Sequence, residues 1–372
     1  MRGCLLGGAL GDALGAPVEF ESLGRIRHQH GPEGVTGLVP DWRGAVGLIT
    51  DDTQMTLFTV EGLIRGGDVG AVHRAYLRWL DTQRHPSPPP GSSGSDPIRT
   101  GLLREQGWLY SRRAPGNACL SGLRHRGAVV PAPFGEPGPV NPDSKGCGTV
   151  MRSAPFGLRA RSPRSPLSPR DPLGPRHAFD LAAECAQLTH GHPTGYLAAG
   201  AFAAIVHFLV TPAGQSDLPV AEDEPLARAV RKTTDLLVTY PAHEETSRAL
   251  RAAVSLAAKG DPSPERVESL GGAWVAEEAL AIAVYCALAY PAPGDVERAL
   301  LLAVNHSGDS DSTGALCGNL LGALHGEAAL PAGWLTHLEG RDAITELADD
   351  FAAWSTGDHE ITDAWLRRYP GP

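Results

Sequence analysis

A chain of 372 residues, 42% of them hydrophobic, can bury a large core, as one big domain or two. Its formal net charge of −10 argues against a nucleic-acid backbone as a partner. Six cysteines (Cys4, Cys119, Cys147, Cys185, Cys286, Cys317) include no Cys-x-x-Cys pair and read as reduced thiols, as in a cytoplasmic protein.

The first predicted element is a helix over 3–16. Gly3, Gly7, Gly11 and Gly15 recur every four residues and strip one helical face of side chains. Glycine costs roughly 1 kcal/mol against alanine inside a helix, so the run implies close approach of another helix. Arg2 with Leu5, Leu6 and Leu10 faintly mimics a signal peptide, but Asp12 interrupts the apolar run and secretion is not expected. Pro17 ends the helix. Glu19 follows it, either simply solvated or aimed at a site.

Thr50-Asp51-Asp52-Thr53-Gln54 comes next and leads into a helix over 53–65. Adjacent aspartates repel and resist burial unless something cationic holds them. Hard divalent cations such as Mg²⁺ prefer these oxygen donors to thiol or imidazole. The plain alternative is a helix start capped by Asp and Thr. Further helices are expected over 70–83, 98–111, 178–189, 194–209, 224–239, 243–259, 273–290, 295–304, 312–326 and 341–355. The 275–290 segment is apolar all round and should be central.

Gly146-Cys147-Gly148-Thr149-Val150-Met151-Arg152 reads as a glycine loop whose N–H groups could hold phosphate, or as a plain turn. His190 and His192 stand beside Pro193 at a helix start, where capping or stacking competes with catalysis. Gly308-Asp309-Ser310-Asp311-Ser312-Thr313 repeats the chemistry of the first acidic cluster ahead of another helix. His306 reads as a packing residue. Three proline-rich stretches, 84–97, 131–145 and 159–177, are expected to be extended or disordered loops. The last carries five arginines, as a solvated insertion or a docking strip for an acidic partner.

Alternation of Val, Ile and Thr is nearly absent, which argues against a sheet and for an all-α fold. No tandem repeat of 20–50 residues is visible. No stretch approaches the roughly 18 uninterrupted apolar residues of a membrane span.

Five stretches in order, GCLLGGALGDALGAPVEF, ITDDTQMTL, KGCGTVMRSAPFGL, LTHGHPTGYLAAGAFAAIVHFL and NHSGDSDSTGALCGNLLGALHG, resemble the ADP-ribosylglycohydrolase family from residue 1 to about 330. The resemblance implies a compact orthogonal multi-helix bundle, one domain over 1–372 with the proline-rich stretches as loop insertions. It implies two Mg²⁺ (or Mn²⁺) ions and hydrolysis of the glycosidic bond between ADP-ribose and its acceptor. Carried over by position, the implied metal ligands are Thr50, Asp51, Asp52, Asp309, Asp311 and Ser312. Glu19 and Asp52 take catalytic roles. Gly146, Cys147, Gly148, Thr149, Met151 and His190 line the substrate.

Three departures stand out. Ser312 replaces a frequent threonine and keeps the hydroxyl. Cys147 replaces an asparagine of the nucleotide loop. Asp96-Pro97-Ile98-Arg99 replaces a family Asp-Ile-Gly motif, which bears on acceptor recognition. The implied partners are ADP-ribose and an ADP-ribosylated protein or other ADP-ribosylated substrate, with nucleic acid only as such an acceptor and no membrane.

Two other readings compete. One is a metal hydrolase of a nucleotide-like small molecule on the same scaffold. The other is a non-catalytic ADP-ribose-binding or crystallin-like member. Oxygen side chains at all six implied ligand positions argue against the latter.

Overall fold

The bare face of the first helix decides what stands at the centre. In the computed structural model, which describes residues 1–90, 98–125, 127, 129–159, 174–211 and 224–371, seventeen α-helices and no strand occur among the described residues. In chain order they are α1 Arg2–Gly15, α2 Leu23–His30, α3 Asp51–Arg65, α4 Val69–Thr82, α5 Asn117–Gly122, α6 Ala154–Gly157, α7 Pro175–Ala186, α8 Pro193–Val210 and α9 Pro225–Leu237. Then follow α10 Glu244–Ala257, α11 Pro264–Glu268, α12 Ala276–Ala289, α13 Val296–Val304, α14 Ser310–His325, α15 Ala332–Leu335, α16 Arg341–Thr356 and α17 Asp363–Arg368. An isolated antiparallel bridge joins Gly146 to Val275.

Helices α1 and α14 pack antiparallel, backbone on backbone. Gly3 faces Gly322, Gly7 faces Gly318 and Gly11 faces Gly314, and a Cβ on any of them would overlap the opposing carbonyl. Buried Asn319 adds a side-chain bond to the carbonyl of Cys4, 2.7 Å away. This antiparallel register carries the end of α1 to the start of α14: Gly15 lies against the Ser310–Asp311 peptide. The helix arrangement therefore brings Glu19 to the second acidic cluster.

Around this pair, α8 and α12 fill the core. Residues Pro193 to His207 of α8 are all buried, and α12 is central as its apolar composition predicts. The sequence reading underrated α8. By length and composition it could cross a membrane, yet 78% of it is buried inside the bundle.

The helix expected over 98–111 does not form. Two short 3-10 turns, Leu103–Glu105 and Gly107–Leu109, stand there instead. Gly101 sits at φ 102°, and Leu102 N–H bonds to the Arg368 carbonyl at 2.9 Å, so the C-terminal region claims this segment. The 131–145 stretch is irregular but held: Ala132 N–H reaches Gln187 Oε1 (2.7 Å), Gly135 N–H reaches Tyr196 Oη (2.6 Å) and Gly138 N–H reaches the Gly191 carbonyl (2.7 Å). Residues 91–97, with Asp96 and Pro97, lie outside the described residues, as does most of the arginine-rich 159–177 stretch; α7 already begins at Pro175.

Candidate active site

Each acidic cluster opens a helix, and local caps set its side chains. Thr50 caps α3 by accepting from Asp52 N–H at 3.3 Å. Asp309 caps α14, its Oδ1 accepting from Ser312 N–H at 3.3 Å, while Asp311 Oδ1 accepts from the same N–H at 2.9 Å. Between them, Asp12 of α1 anchors the first cluster. Its carboxylate accepts from Thr50 N–H (3.0 Å), Thr53 N–H (3.1 Å) and the Thr53 hydroxyl. The sequence reading saw in Asp12 only an interruption; a buried aspartate in a glycine-alanine helix was the available signal.

After α1 the chain makes one 3-10 turn, Ala16–Val18, and delivers Glu19. Glu19, Asp309 and Asp311 each present a carboxylate oxygen, and these three atoms lie within 4.8 Å of one another. Asp51, Asp52 and Ser312 line the same cavity, of about 340 Å³, with Gly146, Cys147, Gly148, Met151 and His190. Two expected members do not line this cavity, although Thr50 stays beside Asp51 at the head of α3. Thr149 is fully buried and donates to the Gly195 carbonyl at 2.9 Å, so it closes the glycine loop instead of facing substrate. Thr50 borders a neighbouring, larger cavity.

The electrostatics ask for a cation. Among the described residues, no lysine or arginine lines the small cavity. Burial first, then the neighbouring carboxylates, pushes Asp51, Asp52 and Asp311 well above the usual aspartate range. Burial, Asp309 and Asp51 push Glu19 up to about 8. Asp52 Oδ2 is buried without a hydrogen-bond partner among the described residues. An orphaned carboxylate oxygen amid acids, surrounded by oxygen donors, fits a hard divalent cation.

The glycine loop wraps the His190 ring. A Cβ on Gly148 would press on Cys119 Sγ and the imidazole, so only glycine allows this approach. Burial, then Arg152, lowers His190 to about 3. It is a neutral ring at physiological pH, with Nδ1 2.8 Å from the Thr189 hydroxyl. Cys147 points its thiol at Asp309 Oδ2, 2.8 Å away, toward the acidic cluster. His192 caps α8 through Nδ1, which accepts from Thr194 N–H at 3.2 Å, and His306 packs against the Thr313 hydroxyl at 2.9 Å.

One segment was misread in part: 273–275 were expected to open a helix, which begins only at Ala276. Residues 271–275 form a strap that ties the site together. The Gly272 carbonyl accepts from Asp309 N–H (3.0 Å), and the Trp274 carbonyl accepts from Cys147 N–H (3.2 Å). Glu278 Oε2 accepts from the N–H groups of Gly272 and Ala273 at 3.0 and 3.2 Å. The Trp274 ring stacks on Phe20, centroids 5.2 Å apart and planes 15° from parallel. Phe20 sits at φ 67°, a left-handed backbone that a phenylalanine adopts only under such support.

The ADP-ribosylglycohydrolase family model matches residues 1–360. The chain belongs to the ADP-ribosylglycohydrolase family. It is similar to the ADP-ribosyl-[dinitrogen reductase] glycohydrolase of Rhodospirillum rubrum, 28% identical over 91% of this chain and 89% of the relative. It is 26% identical to the ADP-ribosylarginine hydrolase Tri1 of Pseudomonas putida (strain GB-1), over 94% of this chain and 76% of the relative. In fold it matches a solved ADP-ribosylglycohydrolase-related protein complex, with a TM-score of 0.60 and 23% identity, covering 95% of this chain and 97% of that one. As a member of this family of metal-dependent enzymes, the chain is a glycosidic-bond hydrolase, and its acidic cluster is where a metal can bind.

Proposed function

We propose that the protein uses two divalent cations, Mg²⁺ or Mn²⁺, to hydrolyse the glycosidic bond between ADP-ribose and a protein acceptor, reversing ADP-ribosylation. The meeting of Glu19, Asp309 and Asp311 in a cavity also lined by the glycine loop and His190 carries this reading. Relatives named for ADP-ribosyl-[dinitrogen reductase] and ADP-ribosylarginine support a protein acceptor. Six unpaired thiols support a reducing compartment, the cytoplasm.

Thr50, Asp51, Asp52, Asp309, Asp311 and Ser312 would hold the cations; all six are buried oxygen donors. When bound, such ions supply Lewis acidity toward ribose hydroxyls and water. The rest falls to the chain itself. Cleavage passes through an oxocarbenium-like state at C1 of the distal ribose, and the surrounding carboxylates favour the positive charge that develops there. Glu19 takes and returns a proton at its carboxylate oxygen; burial and acidic neighbours raise its proton affinity toward the range such a role needs. Asp52 Oδ2, an acceptor without a partner among the described residues, is available to orient a ligand. The neutral His190 ring and the 146–148 backbone bound the nucleotide side.

Chelation tests the reading. EDTA should abolish hydrolysis of an ADP-ribosylated peptide, Mg²⁺ or Mn²⁺ should restore it, and calorimetry should count two ions per chain. Turnover that ignores the chelator, or no ion uptake, would overturn it.

A further inference from the structure

Glu19 stands on the wall between two cavities. The acidic clusters, the glycine loop and His190 border the one of about 340 Å³. A second, of about 770 Å³, shares Glu19 and Ala114 with it. A glycosidic bond broken at Glu19 has ADP-ribose on one side and the acceptor on the other. The smaller cavity holds the groups suited to the nucleotide, which leaves the larger for the acceptor. Pockets of roughly 300–1,000 Å³ enclose drug-sized molecules, so this one has room for several residues of a polypeptide.

Its lining sets three guanidinium groups, Arg43, Arg112 and Arg113, against the carboxylates of Glu19 and Asp41. Arg43 and Arg112 line it, and neither has an ion-pair partner among the described residues. The Arg43 guanidinium lies 4.3 Å from the centroid of the Trp42 ring, itself 84% exposed. Arg113 is already committed, to Glu339 and to the Ile49 carbonyl. Asp41 is partly occupied, its Oδ1 accepting from the N–H groups of Arg43 (2.8 Å) and Ala45 (2.9 Å). Two guanidinium groups without an ion-pair partner among the described residues, one of them stacked on an exposed indole, therefore face the acceptor side of a chain whose net charge is −10.

We propose that the larger cavity is the acceptor site and selects a polypeptide segment whose modified residue is flanked by acidic side chains. This rests on the hydrolase reading above. A polynucleotide fits less well, because a phosphate backbone calls for a run of positive charge, and this wall offers two cations without ion-pair partners among the described residues beside the carboxylates of Asp41 and Glu19.

Three conjugates of one ADP-ribosyl linkage test the proposal: a peptide with Asp/Glu flanks, a peptide with Lys flanks and an oligonucleotide. The wild type should favour the acidic peptide in kcat/KM by roughly threefold to tenfold, as expected for exposed charge pairs. The preference should shrink as salt rises. Arg112→Glu should invert it while the affinity for free ADP-ribose stays within twofold. Arg43→Glu, on a separate loop, should move it in the same direction. Equal rates on both peptides in wild type and variants would overturn the proposal, as would fastest turnover of the oligonucleotide. Failure of the wild type on all three, with Mg²⁺ supplied, would overturn the hydrolase reading itself.

Discussion

The helix start that carries Asp311 and Ser312 into the small cavity belongs to a pair of helices that meet backbone to backbone and serve as its floor; along its rim, loops meet through single hydrogen bonds and one pair of stacked rings. The floor is the α1–α14 pair, where glycine opposes glycine and no side chain intervenes. The rim is Phe20, the strap at 271–275 and the glycine loop, with Phe20 68% exposed and Trp274 44% exposed. Backbone contact leaves no room to adjust, so the floor holds Glu19 and Asp311 at one separation. The rim is built from contacts that can break one at a time, as suits a surface that substrate must pass.

The sharpest break in that comparison is at the point where floor meets rim. Glu19→Gln keeps size and hydrogen bonding but cannot exchange the proton. Single-turnover kinetics should show kcat falling roughly 10²–10⁴-fold, with ADP-ribose affinity largely kept. Weak binding with normal turnover would make Glu19 a structural residue.

Next in size is the floor itself. Gly318→Ala would drive a methyl into the Gly7 carbonyl, and overpacking that neither backbone can relieve should destabilise by about 3 kcal/mol. Urea unfolding measures this. A loss below about 1 kcal/mol would mean that the helices can part, and the floor would be no stiffer than the rim.

A smaller effect is expected on the rim. Trp274→Ala removes the ring that supports Phe20. A stacked aromatic pair is worth about 0.5–1.5 kcal/mol, so kcat should fall by no more than about tenfold, with little change in unfolding. Trp274→Phe should recover most of it. Equal activity in both variants would detach the stack from Glu19.

The smallest change has the opposite sign. Gly24 is the second residue of α2, in its first turn, and a Cβ there meets nothing within 4 Å. Gly24→Ala should stabilise by about 0.4–1 kcal/mol, chiefly by restricting the unfolded chain, read as a higher urea midpoint. The same substitution in two helices would then separate a glycine required by contact from one that is not.

Much of the floor was legible. Glycine every fourth residue has few uses in a helix beyond close approach, so the first helix announced a partner. The partner was legible too, although the sequence reading passed over it: Gly314, Gly318 and Gly322 carry the same spacing behind the second acidic cluster. The rim was not. Trp274 belongs to no chemical pattern, and its role depends on Cys147 and Phe20, which lie far off in the chain. The 98–111 stretch was misread as a helix because its competitor, the Arg368 carbonyl, also comes from a distant segment. Thr149 was misplaced for a related reason: a hydroxyl in a glycine loop serves substrate or backbone equally well until the Gly195 carbonyl is in reach.

By itself the sequence determined the all-helical class, the close-packed first helix, the two acidic clusters and the family, because each is written in local spacing and side-chain chemistry. Only the tertiary structure decided which helix α1 meets, that Glu19 joins Asp309 and Asp311, that Asp12 anchors Thr50 and Thr53, and that a strap closes the rim. Those outcomes rest on contacts between segments remote in sequence, and such contacts exist only once the backbone register of the packed helices has been set.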